Sequence, residues 1–276
     1  TEIYTLSLHD ALPILVENLC IDKTLFDHTK NKIVGSQRMR QGIGTLSEKT
    51  VHAVMKNYYA PDTDMHEIPI ENFVADIFTG QEIIEIQTRA FNKMRRKLDA
   101  FLPLYPVTIV YPIPHIKWLS WIDEETGETS PKRKSPKTGN PYMAFIELYK
   151  IRPYLSNPNL HLKLALLDME EYRLLNGWSR DKKKGSERYD RIPVKFAEEV
   201  CIDRREDYMQ FVPYDLPEQF TAKDFAKHAK IPVRLAQTVL LILTDLEIVV
   251  RVGKQGKSYL YEVNRSEEHT SELQSH

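Results

Sequence analysis

The stretch ADIFTGQEIIEIQT, residues 75–88, sets Asp76, Glu85 and Gln87 into an otherwise apolar run that reads as two short strands around a Thr-Gly turn. With Thr79 and Gly80 as a two-residue hairpin loop, Phe78 pairs with Gln81 and Asp76 lies opposite Ile83. Side chains alternate across a strand. Asp76, Ile83, Glu85 and Gln87 therefore share one face, with Asp76 and Glu85 as diagonal neighbours, while Ala75, Ile84 and Ile86 fill the other. Two carboxylates brought together on an apolar sheet repel each other and lose hydration, and a divalent cation is the usual means of holding both ionised. Ligation by a few carboxylate oxygens suits Mg²⁺, which keeps several waters, one of which can act as nucleophile.

The neighbouring elements follow from periodicity. In TLSEKTVHAVMKNYYAP, Val51, Val54, Met55 and Tyr58 recur at helical spacing and Pro61 stops the helix. HEIPIENF, FVADIF and EIIEIQT read as strands, RAFNKMRRKLDAFL as an amphipathic basic helix, and YPVTIVYPI as a further strand. The order is helix, three strands, helix, strand.

That order, with Glu48 on the first helix, Asp76 on the second strand and Glu85-x-Gln87 on the third, resembles the core of the PD-(D/E)xK nuclease superfamily over about residues 45–113. In that family an acid on the first helix, an Asp on the second strand and an acid-x-Lys on the third surround a metal ion. The resemblance implies that Glu48, Asp76 and Glu85 hold Mg²⁺ or Mn²⁺ and that Gln87 orients the attacking water. Gln87 stands where the family most often has Lys; it is neutral, although its amide can still hydrogen-bond a water. A lysine displaced onto the next helix substitutes in some members, which implies a catalytic Lys93 here, with Arg89 as the other choice. Each acid also has a plainer reading. Thr45 and Glu48 fit a capping box and Asp76 a strand-end residue. His52, one turn after Glu48, reads either as a histidine that reaches the site or as a structural or surface one.

The remainder of the chain reads less sharply. Residues 15–44 are polar and weakly patterned, a short helix and a loop. KWLSWID and YMAFIELYKI flank the Gly-, Pro- and Lys-rich EETGETSPKRKSPKTGNP, expected as a long exposed hairpin loop. LHLKLALLDMEEYRLL is expected to switch from strand to helix near Met169, and the basic SRDKKKGSERYDR to be a loop leading into a bridging stretch that ends at Pro217. In the tail, Thr221 opens a short helix, Pro232 starts a longer one, and IVVRVGKQGKSYLYEV alternates as two strands. Helix, turn, helix, hairpin is the order of a winged helix-turn-helix. Arg234, Gln237 and Thr238 would then face a major groove, with Lys254 and Lys257 of the wing on phosphate. The apolar AQTVLLILTDLEIVV also suits a protein partner. Further phosphate contacts are expected from Arg95 and Arg96 with the flanking Lys93 and Lys97, on what is otherwise a solvated helix face, and from the basic residues Lys132, Arg133 and Lys134, with residues 182–184 in the same role. Trp118 and Trp121 are expected in the core.

With 276 residues and 42% hydrophobic content the chain can bury one or two domains. Two cysteines, Cys20 and Cys201, offer neither a disulfide framework nor a zinc quartet. No apolar run approaches the roughly 18 residues that span a bilayer, so a cytoplasmic setting without membrane contact is expected. Residues 1–14 and 265–276 resemble translated sequencing-library adapter. Leaving them out moves the formal charge from −1 to about +3, too little by itself to imply nucleic-acid binding. The expected architecture is an α/β (α+β) restriction-endonuclease-like core with a mixed central sheet over residues 15–113, an α+β extension with basic loops over 114–210, and a winged helix over 211–264. The expected function is Mg²⁺-dependent endonuclease action on nucleic acid, DNA foremost. Its alternatives are a catalytically decayed DNA-binding or assembly protein and a winged-helix protein-binding regulator.

Overall fold

The computed structural model of the protein describes residues 21–41, 50–175 and 187–264. Glu48 with its capping box, the basic residues 182–184 and both adapter-like ends lie outside them. The fold is mixed α+β around a seven-stranded mixed sheet. Its elements are helices α1 (Lys23–Gln41) and α2 (Thr50–Tyr59), strands β1 (His66–Ile70), β2 (Phe73–Phe78) and β3 (Ile83–Ile86), helix α3 (Arg95–Phe101), and strands β4 (Val107–Ile122) and β5 (Arg133–Lys134). Helix α4 (Phe145–Leu148) and strands β6 (Leu160–Leu174) and β7 (Glu187–Ile202) follow. The order across the sheet is β1-β2-β3-β4-β6-β7, with β5 on β4. The β3/β4 and β4/β6 pairs are parallel, and the other pairs are antiparallel.

One apolar cluster joins the sheet to α3 and α4 through Leu98, Phe101, Phe145 and Leu148. A second, with Val54, Met55, Ile84, Ile86 and Phe196, lies under α1 and α2. Burial on both faces explains why β3 is apolar at every residue but Glu85.

Several sequence expectations change. The boundary expected after Ile113 falls inside β4, which runs unbroken into KWLSWID. YMAFIELYKI is helical, because Ala144, Phe145, Leu148 and Ile151 are buried at helical spacing behind Pro141 in the first turn. LHLKLALLDMEEYRLL stays a strand to Leu174, since β6 is paired on both sides throughout and that pairing overrides local helix preference. Instead of a loop and bridge, Glu187–Ile202 forms the 16-residue β7. The polar start of the chain carries the 19-residue α1. Trp118 and Trp121 are half-buried rather than core.

The long strands overhang their neighbours. β3 pairs with β4 only from Val107 to Val110, and Gln87 N donates to Val110 O at 2.9 Å. Two and four residues on, Pro112 and Pro114 lack the N–H that would point to the same side, where β3 has ended. Past them β4 bulges against β6, and Asp168 Oδ1 accepts the Ile116 amide at 3.2 Å and faces His115 Nδ1 at 2.9 Å. Gly139 closes over this bulge; a Cβ there would meet Pro114 O at 2.0 Å. Beyond it β4, β6 and β7 continue as a ribbon.

The tail contains β8 (Phe220–Thr221), α5 (Ala222–His228), α6 (Val233–Asp245), β9 (Val249–Gln255) and β10 (Ser258–Val263), with strand order β8-β10-β9. Thr221 caps α5 in a capping box with Asp224. Phe225, Leu240 and Leu243 join the same apolar cluster as Phe145, and the tail packs against α4, with Tyr208 and Phe211 against the Phe145 ring.

Candidate active site

The β2–β3 loop has four residues. Phe78 pairs with Ile83, the Thr79 hydroxyl accepts the amides of Gln81 and Glu82 at 3.3 and 3.1 Å, and Gly80 takes the left-handed φ of 90° that the turn needs. The expected two-residue loop is thus wrong by two positions. A shift of two preserves the parity of the alternation, so Asp76 and Glu85 still come together, one residue beyond the last ladder pair.

The ladder stops at Ile77 and Ile84. Beyond it the two strands are bridged by carboxylates: Asp76 N donates to Glu85 Oε1 at 3.3 Å, and Ile86 N donates to Asp76 Oδ2 at 2.8 Å. Each acid is met by a basic side chain from a different helix. His52 Nε2 of α2 lies 3.1 Å from Asp76 Oδ2, and Lys97 Nζ of α3 donates to both Glu85 oxygens at 2.9 and 2.8 Å.

Glu85 is 2% exposed. Burial, and then the charge of Asp76, push its carboxyl up to about 7 against the opposing pull of Lys97. Burial also raises Asp76. The hydrogen bond and charge of His52, the Ile86 amide and Lys97 outweigh it and hold Asp76 below its ordinary value. A folded value near 7 against an ordinary 4.5 means that Glu85 binds its proton more tightly folded than unfolded. Its contribution to stability is therefore present at acid pH and is lost as pH rises from about 4.5 through 7. In chelator, the melting temperature of wild type is expected to fall relative to Glu85→Gln between pH 5 and pH 8. An offset that stays constant across that window would contradict the raised value.

The other expected site residues fall as follows. The Gln87 side-chain amide donates to Arg89 O, turned onto its own loop rather than onto the acids. Lys93 is exposed in the 3₁₀ turn before α3; its expected place beside Glu85 is taken by Lys97, one helical turn later. Arg96 is exposed with its guanidinium over the Phe73 ring at 5.9 Å. Lys132 is paired with Glu170, and Arg133 and Lys134 are exposed on β5. Arg234 and Gln237 are exposed on α6, Lys254 and Lys257 on the β9–β10 hairpin, far in sequence from the acids. Among the described residues no group of three or more His, Cys, Asp or Glu side chains is placed to hold a metal, and the third acid expected, Glu48, is not among them.

Sequence reasoning gave Lys97 only a solvated or phosphate-contacting role on α3, and left His52 between the site and a structural or surface role. The signal for Lys97 was present: it adjoins Leu98 and lies beside the buried stripe Met94, Leu98, Phe101, so it borders the sheet-facing side of α3.

Residues 49–203 match the family described as Domain of unknown function (DUF8091), and the chain belongs to that family. The matched segment contains His52, Asp76, Glu85 and Lys97 and ends before the tail. An "Uncharacterized protein" of Treponema pallidum (strain Nichols) is 24% identical over 192 residues, which cover 67% of this chain and 74% of the relative. No solved structure matches the chain. Among the described residues no helix is long and apolar enough to cross a membrane.

Proposed function

We propose that the protein is a metal-dependent nuclease that hydrolyses phosphodiester bonds of nucleic acid, DNA foremost, through a PD-(D/E)xK-like site. The observation that carries this reading is the Asp76–Glu85 pair, set where the β2–β3 ladder ends and flanked by Lys97. The donor set fits Mg²⁺ or Mn²⁺: both ligands are hard carboxylate oxygens, the bonds that fix Asp76 use Oδ2 only, and the raised Glu85 value marks a buried charge that a cation relieves. When bound, the ion supplies Lewis acidity and a water acidified towards neutral pH.

The chain's own groups do the rest. His52 and the Ile86 amide orient Asp76 and keep it ionised. Lys97 brings the positive charge that Gln87 cannot, beside Glu85, where it can offset charge developing on the phosphate oxygens. The tail, in the order of a winged helix, offers exposed Arg234, Gln237, Lys254 and Lys257 as a second contact with DNA.

Lys97→Met is expected to slow cutting at least about tenfold while Mg²⁺ affinity holds or tightens, since the ammonium that competes for Glu85 is gone. Unchanged turnover would reduce Lys97 to a counter-ion. One observation favours a second reading: Lys97 bonds both Glu85 oxygens, so the acids are partly compensated from within, as a catalytically silent nucleic-acid-binding protein would require.

A further inference from the structure

On the ribbon formed by the far halves of β4, β6 and β7, Glu171 is completely buried, at 0% exposure. Arg173 and Arg191 bond it in strength: Arg173 Nε donates to Oε1 at 2.8 Å with Nη2 on the same oxygen, and Arg191 Nε donates to Oε2 at 2.9 Å. Two more cations crowd the same carboxylate, Lys117 Nζ at 3.3 Å and Arg188 Nε at 3.9 Å. A single bidentate arginine satisfies a carboxylate, so the added cations bring mutual repulsion that structure alone does not require. The carboxylate lies beneath them and the four cationic side chains remain 20 to 35% exposed. Asp190 of β7 is also fully buried and accepts the Thr50 hydroxyl at 2.6 Å.

Two members of the cluster border a cleft lined by sequence neighbours of the candidate active-site residues. Arg188 and Arg191 line a small cleft together with Val51, Thr88, Pro112 and Met169. Val51 precedes His52 and Thr88 follows Gln87, so the cleft opens where β3 ends. Two acids at a reaction centre repel a polyanion, and a backbone held there needs cations next to them.

We infer that Lys117, Arg173, Arg188 and Arg191 form a track for the phosphodiester backbone of a nucleic acid, leading it across the cleft to Asp76 and Glu85. Glu171 is the buried anchor that holds the cations together while their side chains keep 20 to 35% exposure. The inference rests on the nucleic-acid reading above for its ligand, and it names a surface separate from the wing and from the basic loops. Burial first, and then the guanidiniums of Arg191 and Arg173, keep the Lys117 ammonium below its ordinary value despite Glu171.

The test is binding in chelator, where nothing is cut, by fluorescence anisotropy of a labelled single-stranded DNA, its duplex, and RNA of the same sequence. Lys117→Gln/Arg188→Gln removes the two cations farthest from Glu171 and leaves both close arginine bonds, so the fold is retained. For the form of nucleic acid that wild type prefers, this variant is expected to bind at least about tenfold more weakly, with the slope of log K against log salt reduced by about 1.4 to 1.8. Lys23→Gln/Lys32→Gln, two exposed lysines of α1, matches the charge change and is expected to leave the slope near wild type. Wild type that binds none of the three probes, or equal losses in the two variants, would overturn the track. Cutting assays with Mg²⁺ on the same proteins separate the two claims. Binding that depends on the track without any cutting removes the nuclease reading alone, and cutting by wild type with undiminished binding in Lys117→Gln/Arg188→Gln removes the track alone.

Discussion

Asp76→Asn is expected to lower the rate of Mg²⁺-dependent cleavage at least about a hundredfold, close to 3 kcal/mol of transition-state stabilisation, while the protein stays folded. Asn keeps the size of Asp and an oxygen to accept the Ile86 amide, which ties β2 to β3 beyond the last ladder pair. What it removes is the negative charge that a hard cation requires. It also removes the charge that, after burial, pushes Glu85 up to about 7. In metal-free buffer the variant should therefore lose less melting temperature than wild type as pH rises from 5 to 8, with Glu85 ionising more readily. Single-turnover cleavage and thermal melts on the same preparation check both halves. A variant that cuts at the wild-type rate would show that Asp76 holds no catalytic ion.

The second large effect falls on stability. Glu171→Gln leaves Lys117, Arg173, Arg188 and Arg191 gathered without their shared carboxylate, and breaking a buried ion cluster on one side typically costs about 3 to 5 kcal/mol. Burial would raise the Glu171 carboxyl. Arg191, Lys117 and Arg173 overcome it and bring the value down to about 2, against an ordinary 4.5. A lowered acid value contributes stability that is present above about pH 4.5 and lost as pH falls towards 2. The deficit of Glu171→Gln in urea unfolding should accordingly be large at pH 7 and shrink by pH 3. Equal stabilities at pH 7 would mean that the cations are held by something other than Glu171.

How much of this was legible in the sequence depends on how local each feature is. Asp76 and Glu85 could be paired from alternation alone, and the reading survived a wrong loop length because adding two residues leaves strand parity unchanged. Lys97 was within reach of a helical-wheel argument, but choosing among several basic residues on α3 needed the stripe of Met94, Leu98 and Phe101 as reference. The long β6 was misread where Glu170, Glu171 and Arg173 suggest a helix, because its pairing with β4 and β7 is set by distant residues. The Glu171 cluster was illegible for the same reason: Lys117, Arg173 and Arg191 meet only through the registers of β4, β6 and β7. Gln87 was read as a departure from the family that the segment resembles, and nothing in the sequence told that its amide turns to Arg89 O.

The most direct measurement is cleavage itself: wild type and Asp76→Asn, each incubated with labelled single-stranded DNA, duplex DNA and RNA, with Mg²⁺ or with chelator, and resolved on denaturing gels. The nuclease reading predicts that wild type shortens at least one of these substrates in Mg²⁺ only, and that Asp76→Asn leaves it intact. Wild type that cuts none of them, or that cuts as well in chelator, would contradict it.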